Sequence, residues 1–199
     1  ESRQFNIQHS KINIPIAGVG LSLSYMTTQL SESEAFSRLS SSCARAEYCS
    51  GQARDRMRRW GLDEETQERV LARLIKERYI DDRRFCEMFV NDKIKFGKWG
   101  RRKVEAALWQ KGISSDIYAP VLDAVDRELY ADTLLPLLKA KQRTVTGRTA
   151  YERHYKLLRY AIGRGFDVEL AKQCLDQIEK DNDDDSTAED EPFDSGYDF

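Results

Sequence analysis

Three observations predict an all-α fold, a tandem array of three three-helix repeats forming an elongated, curved molecule. Apolar residues from position 31 onward recur at helical spacing, without the alternation of strands. Three glycines, Gly61, Gly112 and Gly165, stand 51 and 53 residues apart in similar surroundings. Behind each glycine the apolar positions keep step: Val70, Val121 and Cys174 follow by nine residues, and Leu74, Val125 and Ile178 by thirteen. A period shared by three segments marks units that bury their apolar faces by stacking on their neighbours.

The elements follow in order. Ser31 and Glu34 form a capping box ahead of Ala35, Phe36 and Leu39, opening the first helix. Val70, Leu71, Leu74 and Ile75 share one face of a helix from about Asp63 to Arg78. Further apolar faces are read at Phe85, Met88 and Phe89, at Val104, Ala107 and Leu108, and at Ile117, Val121, Leu122 and Val125. In the last unit they fall at Tyr151, Tyr155, Leu158 and Ile162, then at Leu170, Cys174, Leu175 and Ile178. Pro136 falls in a helix of that unit and should kink it or mark its start.

Met57-Arg-Arg-Trp-Gly-Leu-Asp63, Leu108-Trp-Gln-Lys-Gly-Ile-Ser114 and Ala161-Ile-Gly-Arg-Gly-Phe-Asp167 repeat one design. A left-handed glycine closes one helix, and the Asp or Ser two residues later caps the next. The expected organisation is a disordered N-terminal extension over 1–30, with Met26 a plausible translation start, and repeats over 31–78, 79–127 and 128–180. A disordered acidic tail over 181–199 completes it.

Net charge is −2 overall, but residues 181–199 hold nine Asp and Glu and no Lys or Arg. Without them 32 basic residues face 25 acidic ones, about +7, so a basic body precedes an acidic tail. A basic body favours an anionic partner, nucleic acid or an acidic protein groove. Cys43, Cys49, Cys86 and Cys174 lack the close spacing of a zinc or redox pair, and only His9 and His154 could assist. Cys86 and Cys174 fall at or beside apolar helical positions, so buried free thiols are expected there, in a reducing compartment, the cytoplasm. No run approaches the length of a membrane span.

The segment Tyr79-Ile-Asp-Asp-Arg-Arg-Phe85 carries paired acids, paired arginines and aromatic rings. Tyr79 and Ile80 can pack into a junction, Asp81 or Asp82 can cap the following helix, and Phe85 can enter its core. Acid–base catalysis would need partners such as a histidine or a metal set, and no histidine stands near in sequence. No P-loop is present either.

This segment closely resembles the core motif of the RecX family, bacterial regulators of the RecA recombinase. The Lys111-Gly112-Ile113 turn, the preceding Gly100-Arg-Arg-Lys-Val-Glu-Ala-Ala-Leu108 and the Arg164-Gly-Phe-Asp167 turn extend the resemblance over about residues 33–180. Arg78 stands where the family has glycine, and Cys86 where it has alanine. The resemblance implies a modulator that is not an enzyme and has no catalytic residue, metal or cofactor. It implies binding to RecA in the groove of its filament on single-stranded DNA, restraining ATPase, strand exchange and coprotease activity. It places single- and double-stranded DNA among the partners, directly or through the filament, with the chain a monomer in the cytoplasm. The alternative is a sequence-nonspecific DNA-binding helical protein that acts without RecA.

The densest basic cluster is Lys93, Lys95, Lys98, Arg101, Arg102 and Lys103, with Phe96 and Trp99 between, on a loop joining two helices of the middle unit. Cations there can meet phosphates or acidic side chains, and an aromatic ring can stack on an unpaired base. Arg83 and Arg84, at the start of the central helix, can face the same side. Two lesser clusters are Arg54, Arg56, Arg58 and Arg59, and Lys139, Lys141, Arg143, Arg148 and Arg153.

Overall fold

The computed structural model describes residues 30–187, and no strand occurs among them. Nine helices run in chain order there: α1 Glu32–Cys43, α2 Ser50–Arg59, α3 Glu64–Lys76, α4 Asp82–Lys95, α5 Arg101–Gln110, α6 Ser115–Asp123, α7 Arg127–Gln142, α8 Ala150–Gly163 and α9 Val168–Thr187. They form three triplets, in each of which the third helix packs on both the first and the second. The N-terminal extension and positions 188–199 lie outside the described residues, apart from Leu30, which packs on the first core. α9 continues to Thr187, seven residues into the segment expected to be a disordered tail.

Helix ends repeat as the sequence predicts. Gly61, Gly112 and Gly165 have φ of 78°, 73° and 88°. The N–H of the next residue, Leu62, Ile113 or Phe166, donates to the carbonyl five residues back, on Met57, Leu108 or Ala161, at 3.2–3.3 Å. All six of these residues are buried. A left-handed residue with a 6→1 bond and an apolar contact across it is a Schellman ending. Asp63 then accepts from Thr66 N–H at 2.9 Å, and Asp167 from Glu169 N–H at 2.9 Å. At the α6 start the Ser114 hydroxyl donates to Asp116.

α3 ends in the same way with Arg78 in the glycine position, at φ 60°, and Tyr79 N–H bonded to Leu74 O at 2.9 Å. A non-glycine residue there costs roughly 1–2 kcal/mol, partly offset by glycine's greater freedom in the unfolded chain. Arg78→Gly is therefore expected to stabilise the fold by roughly 0.5–1 kcal/mol, read as a higher urea midpoint at unchanged m-value. A lower midpoint would show that the Arg78 side chain itself supports the turn.

Two cores result. Ala35, Leu39, Ala53, Met57, Leu62, Val70, Leu71, Leu74 and Ile80 fill the first triplet. The second and third triplets share the other core, which Cys49 enters from the loop before α2. Ile80, read from sequence as part of the second unit, is thus buried in the first core.

Several expected core faces are rotated. Met88 is 56% exposed and Ile75 48%, while Cys86, Val90 and Ile94 join Phe85 as the buried face of α4. On α8, Tyr151, Tyr155 and Ile162 face outward, and Leu157 and Ala161 are buried in their place. Pro136 lies inside α7, between buried Leu134 and Leu138, and does not mark its start.

Candidate partner-binding face

The paired aspartates of the motif have separate structural tasks. Asp81 caps its own helix, accepting from Arg84 N–H at 3.0 Å. Asp82 reaches back to the first triplet and accepts from Ser50 N–H at 2.7 Å, capping α2. Arg84 pairs with half-buried Glu47 across the same junction, at 2.6 Å. Phe85 stacks on Phe89 with ring centroids 5.7 Å apart, and the Lys111 ammonium lies 5.7 Å from the Phe85 ring. Tyr79 meets Phe36 edge-on at 6.0 Å. The motif residues Gly100, Gly112 and Ile113 belong to turns.

The junctions between triplets repeat as well. A Cβ on Gly51 would fall 1.7 Å from Lys111 O, so the start of α2 rests directly on the Lys111–Gly112 turn. A Cβ on Gly100 would fall 2.2 Å from Phe166 N, so the start of α5 rests on the Gly165 turn. There Gly100 N–H donates to Arg164 O at 2.9 Å, and Arg102 N–H to Gly165 O at 3.0 Å.

The basic cluster spans the end of α4, the connecting turn and the start of α5, and so lies only in part on a loop. Its members divide by partner. Arg101 donates to Leu122 O at 3.0 Å and pairs with Asp123, which ties α5 to α6. Lys93 pairs with Asp92 at 2.6 Å. The ammonium groups of Lys93 and Lys103 lie 5.7 and 4.6 Å from the centre of the Trp99 ring, which packs against the core. Arg102 reaches Asp167 only at 3.4 Å, and Arg83 meets Glu87 at 3.2 Å in solvent, so both ion pairs are weak. Lys95 and Lys98 are exposed, and their side chains have no partner among the described residues. Between them Phe96 is 78% exposed. Lys98 has φ 54° and its carbonyl accepts from Arg164, a third-triplet residue, at 3.5 Å. Only the fold brings Arg164 to this turn.

The lesser clusters are largely spent inside the chain. Arg54 pairs with Glu68 at 2.8 Å, Arg58 with Asp55 at 2.9 Å, and Arg56 lies over the Tyr48 ring. Lys139 pairs with Asp181 at 2.9 Å, and Arg153 donates to Gly147 O at 3.0 Å.

Burial, aided by the nearby Asp82 carboxylate, pushes the Cys86 thiol up to about 12, and burial also raises Cys49 and Cys174. None of these three is a ready nucleophile at neutral pH. Among the described residues no group of three His, Cys, Asp or Glu is placed to hold a metal, and no helix is long and apolar enough to cross a membrane.

Fold and surface define an all-α tandem helical-repeat protein with a basic turn between two helices of its central unit. Residues 81–122 match the family model described as RecX, second three-helix domain. The regulatory protein RecX of Clostridium tetani is 31% identical over 129 residues, covering 64% of this chain and 59% of that protein. That of Lactobacillus johnsonii is 28% identical, covering 65% and 48%. The crystal structure of RecX from Lactobacillus salivarius superposes with a TM-score of 0.69 at 15% identity, covering 74% of this chain and 96% of that one. A second crystal structure, of a regulatory protein RecX, gives 0.68 at 20% identity, covering 73% of each. The chain is thus similar to RecX proteins over its helical units, and it spans about three fifths of the length of the first of these curated relatives.

Proposed function

We propose that this chain regulates RecA: it binds the recombinase and its filament on single-stranded DNA and mainly inhibits ATPase, strand exchange and coprotease activity. Similarity to RecX proteins supports the reading, and one observation carries it to a surface. Lys95, Lys98 and Phe96 stand exposed together at the α4–α5 turn, the two cations without side-chain partners among the described residues. Free cations beside an exposed ring suit phosphates, acidic side chains and unpaired bases. Arg102 and Lys103 flank this centre, Lys93 and Trp99 adjoin it, and Arg83 extends the basic face to the other end of α4, about 18 Å along the helix. Arg84 and Arg101 serve it by fixing the helices. The units 31–78, 79–127 and 128–180 act as three linked modules along the filament groove, in the cytoplasm, as a monomer.

The test is the single-stranded-DNA-dependent ATPase of RecA, with this chain titrated in well below the RecA concentration. The intact chain should inhibit, and a Lys95→Glu, Lys98→Glu variant should need about tenfold more protein, a loss of about 1.4 kcal/mol. Its direct affinity for single-stranded DNA should also lose roughly 0.7 of log–log salt slope per lost phosphate contact. Inhibition unchanged in the variant moves the contact surface elsewhere. No inhibition at any ratio overturns the reading, and DNA binding alone would then favour a protein acting without RecA.

A further inference from the structure

On α8 the side chains that miss the core line up. Tyr151, Tyr155, Arg159 and Ile162 recur at helical spacing, within ~80° of the helix circumference. Tyr151 is 78% exposed and Tyr155 50%, and Arg159 and Ile162 are exposed beside them. No side chain of the four has a hydrogen bond, ion pair or ring contact among the described residues. The turn into α8 adds Arg143 and Arg148, exposed and equally without side-chain partners there. Glu152, the acid at this end of α8, is taken by Lys156 at 2.7 Å and by the Arg148 N–H at 2.9 Å. The result is a strip of rings and free cations that no other described element covers.

The chain carries its own complement. Residues 188–199, which follow α9, hold five Asp and Glu, no Lys or Arg, and the rings of Phe193, Tyr197 and Phe199. α9 returns antiparallel along α8, and Glu179 meets His154 at 3.0 Å, at the level of Tyr151 and Tyr155. Two residues on, Asp181 pairs with Lys139 of α7 at 2.9 Å. The acidic end of α9 thus already lies against cations of this triplet. From Glu179 to Thr187 the helix advances ~12 Å, and Tyr151 to Ile162 spans ~16 Å. The segment 188–199 reaches ~40 Å when extended, more than the ~28 Å needed to turn back along the strip.

We infer that the exposed strip of α8 is a docking surface for residues 188–199 of the same chain. Carboxylates of the segment pair with Arg143, Arg148 and Arg159, and its rings pack on Tyr151, Tyr155 and Ile162. An unpaired nucleic-acid strand offers the same two kinds of group, phosphates and flat rings. The tether decides between them, because a covalently attached segment stands at millimolar effective concentration before any partner arrives. The inference does not depend on any contact with RecA.

The experiment places a nitroxide spin label at Ser195→Cys in the full chain, in a Cys43→Ser background, since the other cysteines are buried. The label should broaden the NMR signals of Tyr151, Tyr155 and Ile162, and to the same extent at every protein concentration. Tyr151→Ala with Arg159→Glu should lower the docking constant about tenfold and remove most of that broadening. Both side chains are exposed, so the Tm should hold. Phe193→Ala with Tyr197→Ala, which alters none of the helices, should have the same effect on the broadening. Docking should also weaken in ~1 M salt, where the screening length is about 3 Å. No broadening on α8, broadening centred instead on the Lys95–Lys98 turn, or broadening unchanged in either variant overturns the inference. So does broadening that grows with protein concentration, which would seat the segment of a second copy on the strip.

Discussion

Gly165→Ala is expected to destabilise the chain by about 2–5 kcal/mol and to part the unfolding of the third triplet from that of the second. Two separate costs add. At φ 88° an alanine pays the left-handed penalty, roughly 1–2 kcal/mol. Its Cβ also has no room, since Lys103 N and Cβ both stand 2.4 Å from where it would lie. Overpacking a closed contact costs about 1–3 kcal/mol more, and here the obstacle is largely backbone. Relief requires the α8–α9 turn to back away from α5. That movement breaks the Gly100-to-Arg164 and Arg102-to-Gly165 bonds and lifts buried Phe166 from the shared core.

The measurement is denaturant unfolding followed at one reporter in each triplet. Coincident curves in the native chain should become displaced, with the third triplet melting first. Gly61→Ala is the control. It also sits at positive φ, but a Cβ there meets nothing within 4 Å, so only the conformational penalty applies. Equal losses in the two variants would mean that the junction yields, and that the two triplets are not locked together through this turn.

Those glycines also show how far the sequence could be read. The helix-ending role of Gly61, Gly112 and Gly165 follows from local chemistry, and the structure has all three left-handed. Their second role is not local. Gly112 and Gly165 lie under the starts of α2 and α5 because of how the triplets stack, and no spacing along the chain encodes which turn meets which helix. The core faces were mistaken for a related reason. Where helices approach closely the inward position takes a small residue, and Ala161 and Cys86 hold such positions on α8 and α4. A reading weighted by bulk favours Tyr155 and Met88, which point to solvent. Charge density likewise located the basic turn but could not separate Lys95 and Lys98 from Arg101 and Arg84, whose partners lie 21 to 37 residues away.

Phe85→Ala should cost about 3–5 kcal/mol, the range for emptying a buried aromatic site. The ring is 7% exposed, stacked on Phe89, and covered by the Lys111 ammonium. Removing it unseats Phe89 and frees Lys111, whose carbonyl carries the start of α2. The loss should therefore spread beyond the second triplet and weaken its hold on the first. Met88→Ala, three residues on along the same helix, should stay within about 0.5 kcal/mol, because that side chain is 56% exposed. The pair together tests the phase of α4, which either variant alone leaves open. A large loss at Met88 with a small one at Phe85 would turn the helix by most of half a revolution. Val90 and Ile94 would then leave the core, and the Lys95–Phe96–Lys98 turn would no longer present its free charges to a partner.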